Sequence, residues 1–569
     1  MRSFIFFIFY CFALTVTAQK IISDNLVQKN VVEYQKTEFD IEASIPFVNP
    51  YDQQEIVLDM VIKSPSGKSL TLPCYFLSGD KSKSFWKARF APQETGAYSY
   101  NFQFKKAGKV VAKSKPKSFS SAVSQNDGFL HTHDYWTLRF DSGKPFRGIG
   151  ENIGWEPRSF ENPKWTFDYL LPTLSSNGAN FFRLWMCPWS LPVAWKNVKH
   201  TKRYTNSDKY FNEGGIKRMD ELVELSDSLG LHFMLSIDYH GAFIPAAEWK
   251  TNNYNKLNGG VATTPTDFFQ MPEAKAMYKN KLRYLIARWG YSPAIGAWEF
   301  FNEIDNAVFT SKDSVLIPHH LITQWHDEMS TYLKEHDPYK HIVTTSISHR
   351  DIKGMNELPN IDLNQKHIYN HTNLIAGAIQ EYTELYHKPY VIGEFGYDWN
   401  WDNVKPEVGP QFDFDYKRGL WYGMFSSTPI LPMTWWWEFF DERNMTPYFR
   451  GVRMISDEML AAGQGSFESV KVSALPLESY AVRCGDTYFV YLLNNSQNKI
   501  SSDVTLTIAK TGSFQCKSFD PQTLVFNDLK SIDVHENELI LQNVQLEKEH
   551  EIIHIFKVET SQKTVSKQQ

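Results

Sequence analysis

Two rhythms of apolar and polar residues divide the chain. Near its start, Ser84-Phe85-Trp86-Lys87-Ala88-Arg89-Phe90 and Tyr100-Asn101-Phe102-Gln103-Phe104 alternate with period two, as half-buried strands do. Glu55-Ile56-Val57-Leu58-Asp59-Met60-Val61-Ile62 runs into the turn signal Ser64-Pro65-Ser66-Gly67. The same rhythm returns near the end, in Val504-Thr505-Leu506-Thr507-Ile508 and Glu551-Ile552-Ile553-His554-Ile555-Phe556. Between them, short apolar runs alternate with stretches of helical period, such as Ile216 to Leu225 with Gly230 placed to end that helix. Strands are expected at 146–153, 179–186, 232–238, 295–301, 342–347, 364–369, 389–395 and 430–437.

Eight strands with helices between most of them predict a (β/α)8 TIM barrel over residues 130–461. A doubly wound sheet is the alternative, but no dinucleotide-binding turn accompanies the repeats. The flanks, residues 22–124 and 466–558, read as β-sandwiches. In the first, Pro92 to Tyr100 resembles the approach to the tyrosine corner of immunoglobulin-like domains.

Composition narrows the function classes. The 569 residues carry 59 Lys+Arg against 64 Asp+Glu, a formal net charge of −5, which argues against nucleic-acid binding by bulk charge. Charged residues at 22% and hydrophobic ones at 42% describe an ordinary folded core rather than a disordered chain. Aromatics reach 15%, with 17 Trp, which suits recognition of sugar or peptide as well as core filling. Arg2 followed by the apolar run Phe4 to Leu14 and the small residues to Ala18 reads as a signal peptide, residues 1–18, with cleavage before Gln19. No later stretch is apolar for long enough to span a membrane, so an exported protein, periplasmic or extracellular, is expected. Beyond Cys11 the four cysteines are far apart and form no metal-binding pair; Cys484 and Cys516 could bridge within the C-terminal domain.

In a barrel of this kind, chemistry sits at the C-terminal ends of the strands. Two glutamates fall there: Glu303 after Ala297-Trp298-Glu299-Phe300-Phe301-Asn302, and Glu394 in Pro389-Tyr390-Val391-Ile392-Gly393-Glu394-Phe395-Gly396. A carboxylate behind an apolar strand is costly unless it works or is paired. Glu299 and Glu438 also stand beside these motifs and are set aside as out of register with them.

These paired glutamates on the fourth and seventh strands, the first preceded by Asn302, resemble clan A of the retaining glycoside hydrolases. Asn177 to Trp185, with Arg183, is similar to that clan's second strand. His240 after Leu235-Ser236-Ile237-Asp238-Tyr239 resembles the third-strand histidine of family-five-like members, and His367-Ile368-Tyr369 their sixth-strand motif. Trp435-Trp436-Trp437 stands where the eighth-strand tryptophan is found. The N-terminal sandwich is similar to the module preceding the barrel in some bacterial polysaccharide-degrading enzymes.

The resemblance implies a double displacement. Glu394 would be the nucleophile and Glu303 the acid/base, with their carboxyl groups about 5–5.5 Å apart. Arg183 or Tyr369 would keep Glu394 ionised, Asn302 would bond the sugar 2-hydroxyl, His240 and His367 would position the carboxylates, and Trp435 would offer a sugar platform. Trp155, Trp185, Trp189, Trp249, Trp399 and Trp401 follow or end strands and could line the cleft, while Lys250 and Arg158 could meet an acidic group on a glycan. No metal or other cofactor is expected: His131-Thr132-His133-Asp134 lacks a partner cluster, Gly148 to Gly154 has the wrong spacing for phosphate, and Cys187 sits in no nucleophile motif. The expected protein hydrolyses β-glycosidic bonds of a poly- or oligosaccharide, endo-acting and mannanase- or glucanase-like in preference to an exo-acting β-glycosidase. A barrel that binds glycan or matrix protein without cutting it is the alternative from another class.

Overall fold

The computed structural model describes residues 19–156, 162–199 and 203–558. The expected signal segment, Arg158 and the tail beyond Thr560 lie outside them. Two compact units are present.

The first unit holds residues to Ser124 together with Leu282–Tyr291. Two antiparallel sheets face each other through the alternating side chains, with Phe39, Ile41, Leu58, Met60, Trp86, Phe102 and Phe104 buried between them. The tyrosine-corner expectation is met in detail: the backbone N–H of Glu94 donates to the Tyr98 hydroxyl at 2.8 Å. Asp59 is buried and accepts from Lys105 (2.9 Å) and Arg283 (2.5 Å), which holds its carboxyl below the usual range against the opposing effect of burial.

The second unit holds residues 125–281 and 292–558. Its parallel strands are β1 (Gly150–Asn152), β2 (Phe181–Trp185), β3 (His232–Tyr239), β4 (Ile295–Asn302), β5 (Ile342–Thr344, resuming at Ser346–Ile347), β6 (Asn364–Tyr369) and β7 (Tyr390–Gly396). They pair in sequence order, β1 to β2 and on to β7. Every residue of β2, β4 and β7 is buried, as expected for strands covered on both faces.

The expected eighth strand, 430–437, is shorter and less regular. Residues 430–435 close the barrel through Leu431 N to Gly148 O (2.8 Å), Asn152 N to Thr434 O (3.0 Å) and Phe395 N to Met433 O (3.1 Å), and the chain then turns into a helix at Trp437–Glu442. Helices α1 (Phe167–Ser176), α2 (Glu213–Leu229), α3 (Pro272–Trp289, whose residues from Leu282 on count with the first unit), α4 (His319–His336), α5 (Ile375–Tyr386) and α6 (Gly409–Met424) alternate with the strands. The helix read around Ile216 is α2; Asn212 caps its start and Gly230 ends it in the left-handed conformation, φ 64°.

The lumen is layered. Phe181, Met234, Ala297, Ile342, Leu363, Val391 and Ile430 fill its lower part, and Leu130, Leu138 and Phe146 of a small antiparallel sheet pack against them. Each such buried side chain contributes roughly 1.5–3 kcal/mol. The polar side chains of the site stand above that apolar floor.

The C-terminal sandwich packs on α6 and on α7 (Phe449–Gly463), which follows the closing segment. Trp421 Nε1 donates to the Tyr448 hydroxyl (2.7 Å), Tyr448 in turn bonds Glu551, and Tyr491 donates to the other Glu551 oxygen (3.0 Å). Cys484 and Cys516 are free and buried, so the possible bridge between them is not formed. Among the described residues, no helix is long and apolar enough to cross a membrane.

Candidate active site

Arg183 organises the upper lumen. Its side chain is fully buried on β2, and all five of its N–H groups find acceptors. Nε and one Nη2 proton form a bidentate pair with Glu299 (2.7 and 2.8 Å), and the second goes to Asn302 Oδ1 at 2.6 Å. Nη1 donates to Asn152 Oδ1 (3.0 Å) and to Glu394 Oε1 (2.8 Å). Burial works against this charge, but Glu299 and Glu394 outweigh it and hold the guanidinium pKa above its usual value.

Glu394 is buried near the end of β7. Its second oxygen accepts from the Tyr369 hydroxyl at 2.6 Å and lies 3.4 Å from His367 Nδ1. Gly393 beneath it must lack a side chain, because a Cβ there would stand 1.7 Å from Gln365 Oε1. Glu303 sits just past the end of β4 with φ 49°, a left-handed backbone that a glutamate adopts only under constraint. Its N–H donates to the Ser346 hydroxyl (2.9 Å), which helps pin that turn. His367 Nδ1 stands 2.8 Å from Glu303 Oε1, and Asn306 Nδ2 donates to Oε2 at 2.9 Å.

One ligand atom each from Glu303, His367 and Glu394 lies within 4.8 Å of the others, so the two carboxyl groups meet across one small gap. These three are the group among the described residues that could hold a metal ion, yet each already has the hydrogen-bond partners just named. His131 pairs instead with Asp141 (2.8 Å).

Burial pushes both carboxyl pKa values upward. For Glu394, Arg183 and the Tyr369 hydrogen bond oppose burial and Glu303 adds to it; for Glu303, His240, Arg183 and Asn306 oppose burial and Asp305 adds to it. Burial also lowers His367 to about 4, so the imidazole is neutral near pH 7, and raises Tyr369 well above its usual value, so the phenol remains a donor.

Comparison with known proteins bears on the family and the fold. Residues 30–105 match the model of a "Domain of unknown function (DUF5060)". A 133-residue stretch is 32% identical to the Aspergillus terreus protein named "Probable mannan endo-1,4-beta-mannosidase C", covering 23% of this chain and 31% of that one. A 220-residue stretch is 26% identical to mannan endo-1,4-beta-mannosidase F of Aspergillus clavatus, covering 37% and 45%. The chain thus spans less than half the length of these curated relatives. Among solved structures, a Bacteroides vulgatus ATCC 8482 protein assigned as a glycoside hydrolase matches with TM-score 0.64 at 13% identity, over 93% of this chain and all of that one. A glycoside hydrolase family 5 structure from the same organism matches with TM-score 0.51 at 13% identity, over 76% and 94%. Over part of its length the chain is thus similar to mannan endo-1,4-beta-mannosidases, and its fold is like that of glycoside hydrolase structures, one of them of family 5.

Within the barrel, the residues singled out from sequence fall as follows. Arg183, Asn302, Tyr369 and Glu394 belong to one hydrogen-bonded network, and the His367–Glu303 pair adjoins it through His367 Nδ1, 3.4 Å from Glu394. His240 lies at its edge, with Nδ1 3.3 Å from Asn302 Nδ2 and 3.8 Å from Glu303 Oε2. Trp435 is half-buried and packs on Trp155, Trp185 and Trp437 (ring centroids 5.3, 5.2 and 5.1 Å), so part of its surface serves the wall. Trp436 turns the other way and donates from Nε1 to Asp398 O at 2.7 Å. Trp249 is buried beneath its loop, where Nε1 donates to Thr263 O.

Sequence reasoning sets Glu299 aside, yet it is fully buried in the lumen as the bidentate partner of Arg183. It also passes over Asn152, whose amide donates to Gly393, Met433 and Thr434 carbonyls and so fastens β1 to β7 and the closing segment. Asn306 is missed as well. Its carbonyl is held by Arg350, which reaches Asp305, so a chain of contacts fixes the donor to Glu303.

Proposed function

We propose that this chain hydrolyses β-linked glycosidic bonds with retention of configuration, with Glu394 as nucleophile and Glu303 as acid/base. The observation that carries the reading is the approach of the two carboxyl groups and His367 to within 4.8 Å. An inverting pair needs roughly 6.5–9.5 Å to admit a water, whereas a retaining pair stands about 5–5.5 Å apart. The charged donor supports Glu394 as the attacking group: Arg183 bonds Glu394 directly, and Tyr369 donates to its other oxygen. Burial raises both carboxyl pKa values, and two carboxyl groups this close hold one proton between them, which the assignment places on Glu303.

In the first step Glu394 attacks the anomeric carbon while Glu303 gives its proton to the departing oxygen. In the second, Glu303 takes a proton from water, which displaces Glu394 from the sugar. Asn302, its carbonyl held by Arg183, is the group proposed to meet the 2-hydroxyl. The substrate is a β-linked polysaccharide attacked internally, mannan- or glucan-like, which the named mannanase relatives support. Export before action is supported by the apolar segment after Arg2.

The test is Glu394→Ala and Glu303→Ala beside wild type on a polysaccharide panel and on aryl glycosides. Glu394→Ala should lose about 10⁴-fold or more in kcat, with partial rescue by azide. Glu303→Ala should lose less on activated leaving groups, which need little protonation. The reverse pattern would exchange the two roles, and a wild type that binds glycan but cuts nothing would end the reading.

A further inference from the structure

The aromatic side chains around the barrel mouth fall into two kinds. Trp155, Trp185, Trp189, Trp435 and Trp437 pack against one another, with Trp155 at the centre and ring centroids 5.2–5.6 Å from the other four. Trp399 and Trp401, on the loop after β7, are 65% and 64% exposed. That loop is not loose. Asp398 accepts from Asn400 N (2.9 Å) and Asn403 Nδ2 (2.8 Å), Asn400 caps the turn Trp401–Asn403, and Trp436 Nε1 bonds the Asp398 carbonyl. The two indoles are therefore held out into solvent by a fastened backbone, a costly placement for such large apolar surfaces.

The pair is continuous with the catalytic residues. Trp401 leans on Trp436 with ring centroids 5.5 Å apart. Gly396 lies between Trp436 and Tyr369: a Cβ on it would be 3.5 Å from Trp436 Cδ1 and 3.4 Å from Tyr369 Cε1. Tyr369 is the phenol that donates to Glu394. Trp401 and Trp436 are thus joined, across the backbone of Gly396, to the phenol that bonds the proposed nucleophile.

We infer that Trp399 and Trp401 form a stacking platform for an uncharged pyranose residue of the glycan chain, distant from the bond being cut. This rests on the glycosidase reading above and adds where the chain lies and what charge it carries. Flat indole faces match the apolar C–H faces of a pyranose, and the Asp398, Asn400 and Asn403 side chains nearby suit its hydroxyls. Two indoles offer at most about 500 Å² of apolar surface, well below the ~800 Å² per partner of a stable protein interface. Asp398 and Asp402 beside the indoles place negative charge there, which disfavours a uronate or sulfated sugar.

The experiment uses the full chain carrying Glu394→Gln, so that ligands are not consumed, and titrates it calorimetrically with β-1,4-linked manno- and gluco-disaccharides and hexasaccharides. Adding Trp399→Ala or Trp401→Ala should lower the ratio of hexasaccharide to disaccharide affinity about tenfold, the equivalent of ~1.4 kcal/mol. Fluorescence of the two indoles should respond to the hexasaccharide alone. Unchanged ratios in both variants would overturn the platform while leaving hydrolysis by wild type, and with it the glycosidase reading, intact. Weakened hexasaccharide binding beside a wild type that cuts nothing would leave the platform standing and remove the enzyme. Binding of no neutral chain, or tighter binding of a uronate chain, would overturn the inference.

Discussion

Two arginines are buried at opposite ends of the same barrel, and their partners give them opposite properties. Arg183, in the upper lumen, spends its five N–H groups on Glu299, Glu394, Asn302 and Asn152. Arg147, just before β1 at the lower end, donates to the carbonyls of Gly423, Met424, Ser426 and Thr428 at 2.9–3.4 Å, where α6 ends and the chain enters the closing segment. Carboxylates hold the Arg183 pKa above its ordinary value, whereas burial among carbonyls lowers Arg147 to about 10. Equal burial therefore does not set the behaviour of a buried charge; the formal charge of its partners does. The first end holds two carboxylates, one of them the proposed nucleophile; the second terminates a helix.

The sharpest break of this comparison is Arg183→Lys. An ammonium keeps the charge but has three donors in place of five and cannot form the fork to Glu299. The kcat should fall by about 10³-fold, equivalent to ~4 kcal/mol of transition-state stabilisation, with a fold that circular dichroism finds native. A variant that loses stability but keeps its turnover would make Arg183 as structural as Arg147.

Arg147→Met should do the opposite. It removes the side-chain donor from four carbonyls, of which those of Gly423 and Ser426 keep a backbone N–H from Ser426 and Thr428, and we expect a stability loss of about 3 kcal/mol in denaturant unfolding. Turnover per folded molecule should stay within about twofold. A large drop in kcat with unchanged stability would erase the distinction between the two ends.

How far this contrast could be read from sequence depends on what each residue leans on. Strands β2 to β7 were legible because each is an apolar run covered on both faces, and their ends, where Glu303 and Glu394 stand, follow from the strand boundaries. Arg183, His367 and Tyr369 were legible through the order of their motifs. The closing segment was overextended because its three tryptophans look like strand, while the backbone leaves the barrel at Trp437 to begin a helix. Glu299 was set aside, although it lies four residues before Glu303 and strand alternation returns both to one face; the left-handed turn at Glu303 then lets adjacent Asn302 serve the same site. Nothing local marks Arg147 or Asn306, whose partners are carbonyls 276 or more residues away in one case and an arginine on a neighbouring loop in the other. Whether an indole packs or faces solvent is likewise tertiary: Trp249 and Trp401 are alike in sequence setting and opposite in exposure.

A third buried base extends the series to no partner at all. Among the described residues, neither ring nitrogen of His554, in the C-terminal sandwich, has a hydrogen-bond partner, and burial lowers its pKa from 6.5 to about 4. A folded-state value below the unfolded one means that its contribution is fully present above pH 6.5 and is lost as pH falls from there towards 4. At pH 5 the loss is about 2 kcal/mol for this one group. In His554→Phe, the decline in unfolding free energy between pH 7 and pH 5 should be shallower by that amount. An unchanged decline would show that the imidazole finds a proton acceptor when charged, and the ranking by partner would lose its lower end.

The finest test returns to the catalytic end. Glu299 and Glu394 share one guanidinium, so Glu299→Gln removes the competing charge and leaves Arg183 to Glu394 alone. The Glu394 carboxyl, raised by burial, should then titrate lower. Because the proposed attack needs Glu394 ionised, activity at low pH should be lost as pH falls through that value, and in the variant the acidic limb of kcat/KM should move to lower pH by about one unit, or ~1.4 kcal/mol. Movement of the basic limb instead would tie Glu299 to Glu303. No movement of either limb, with stability reduced, would mean that Arg183 is divided between two jobs, anchored below by one carboxylate and serving the other above, with no electrostatic traffic between them.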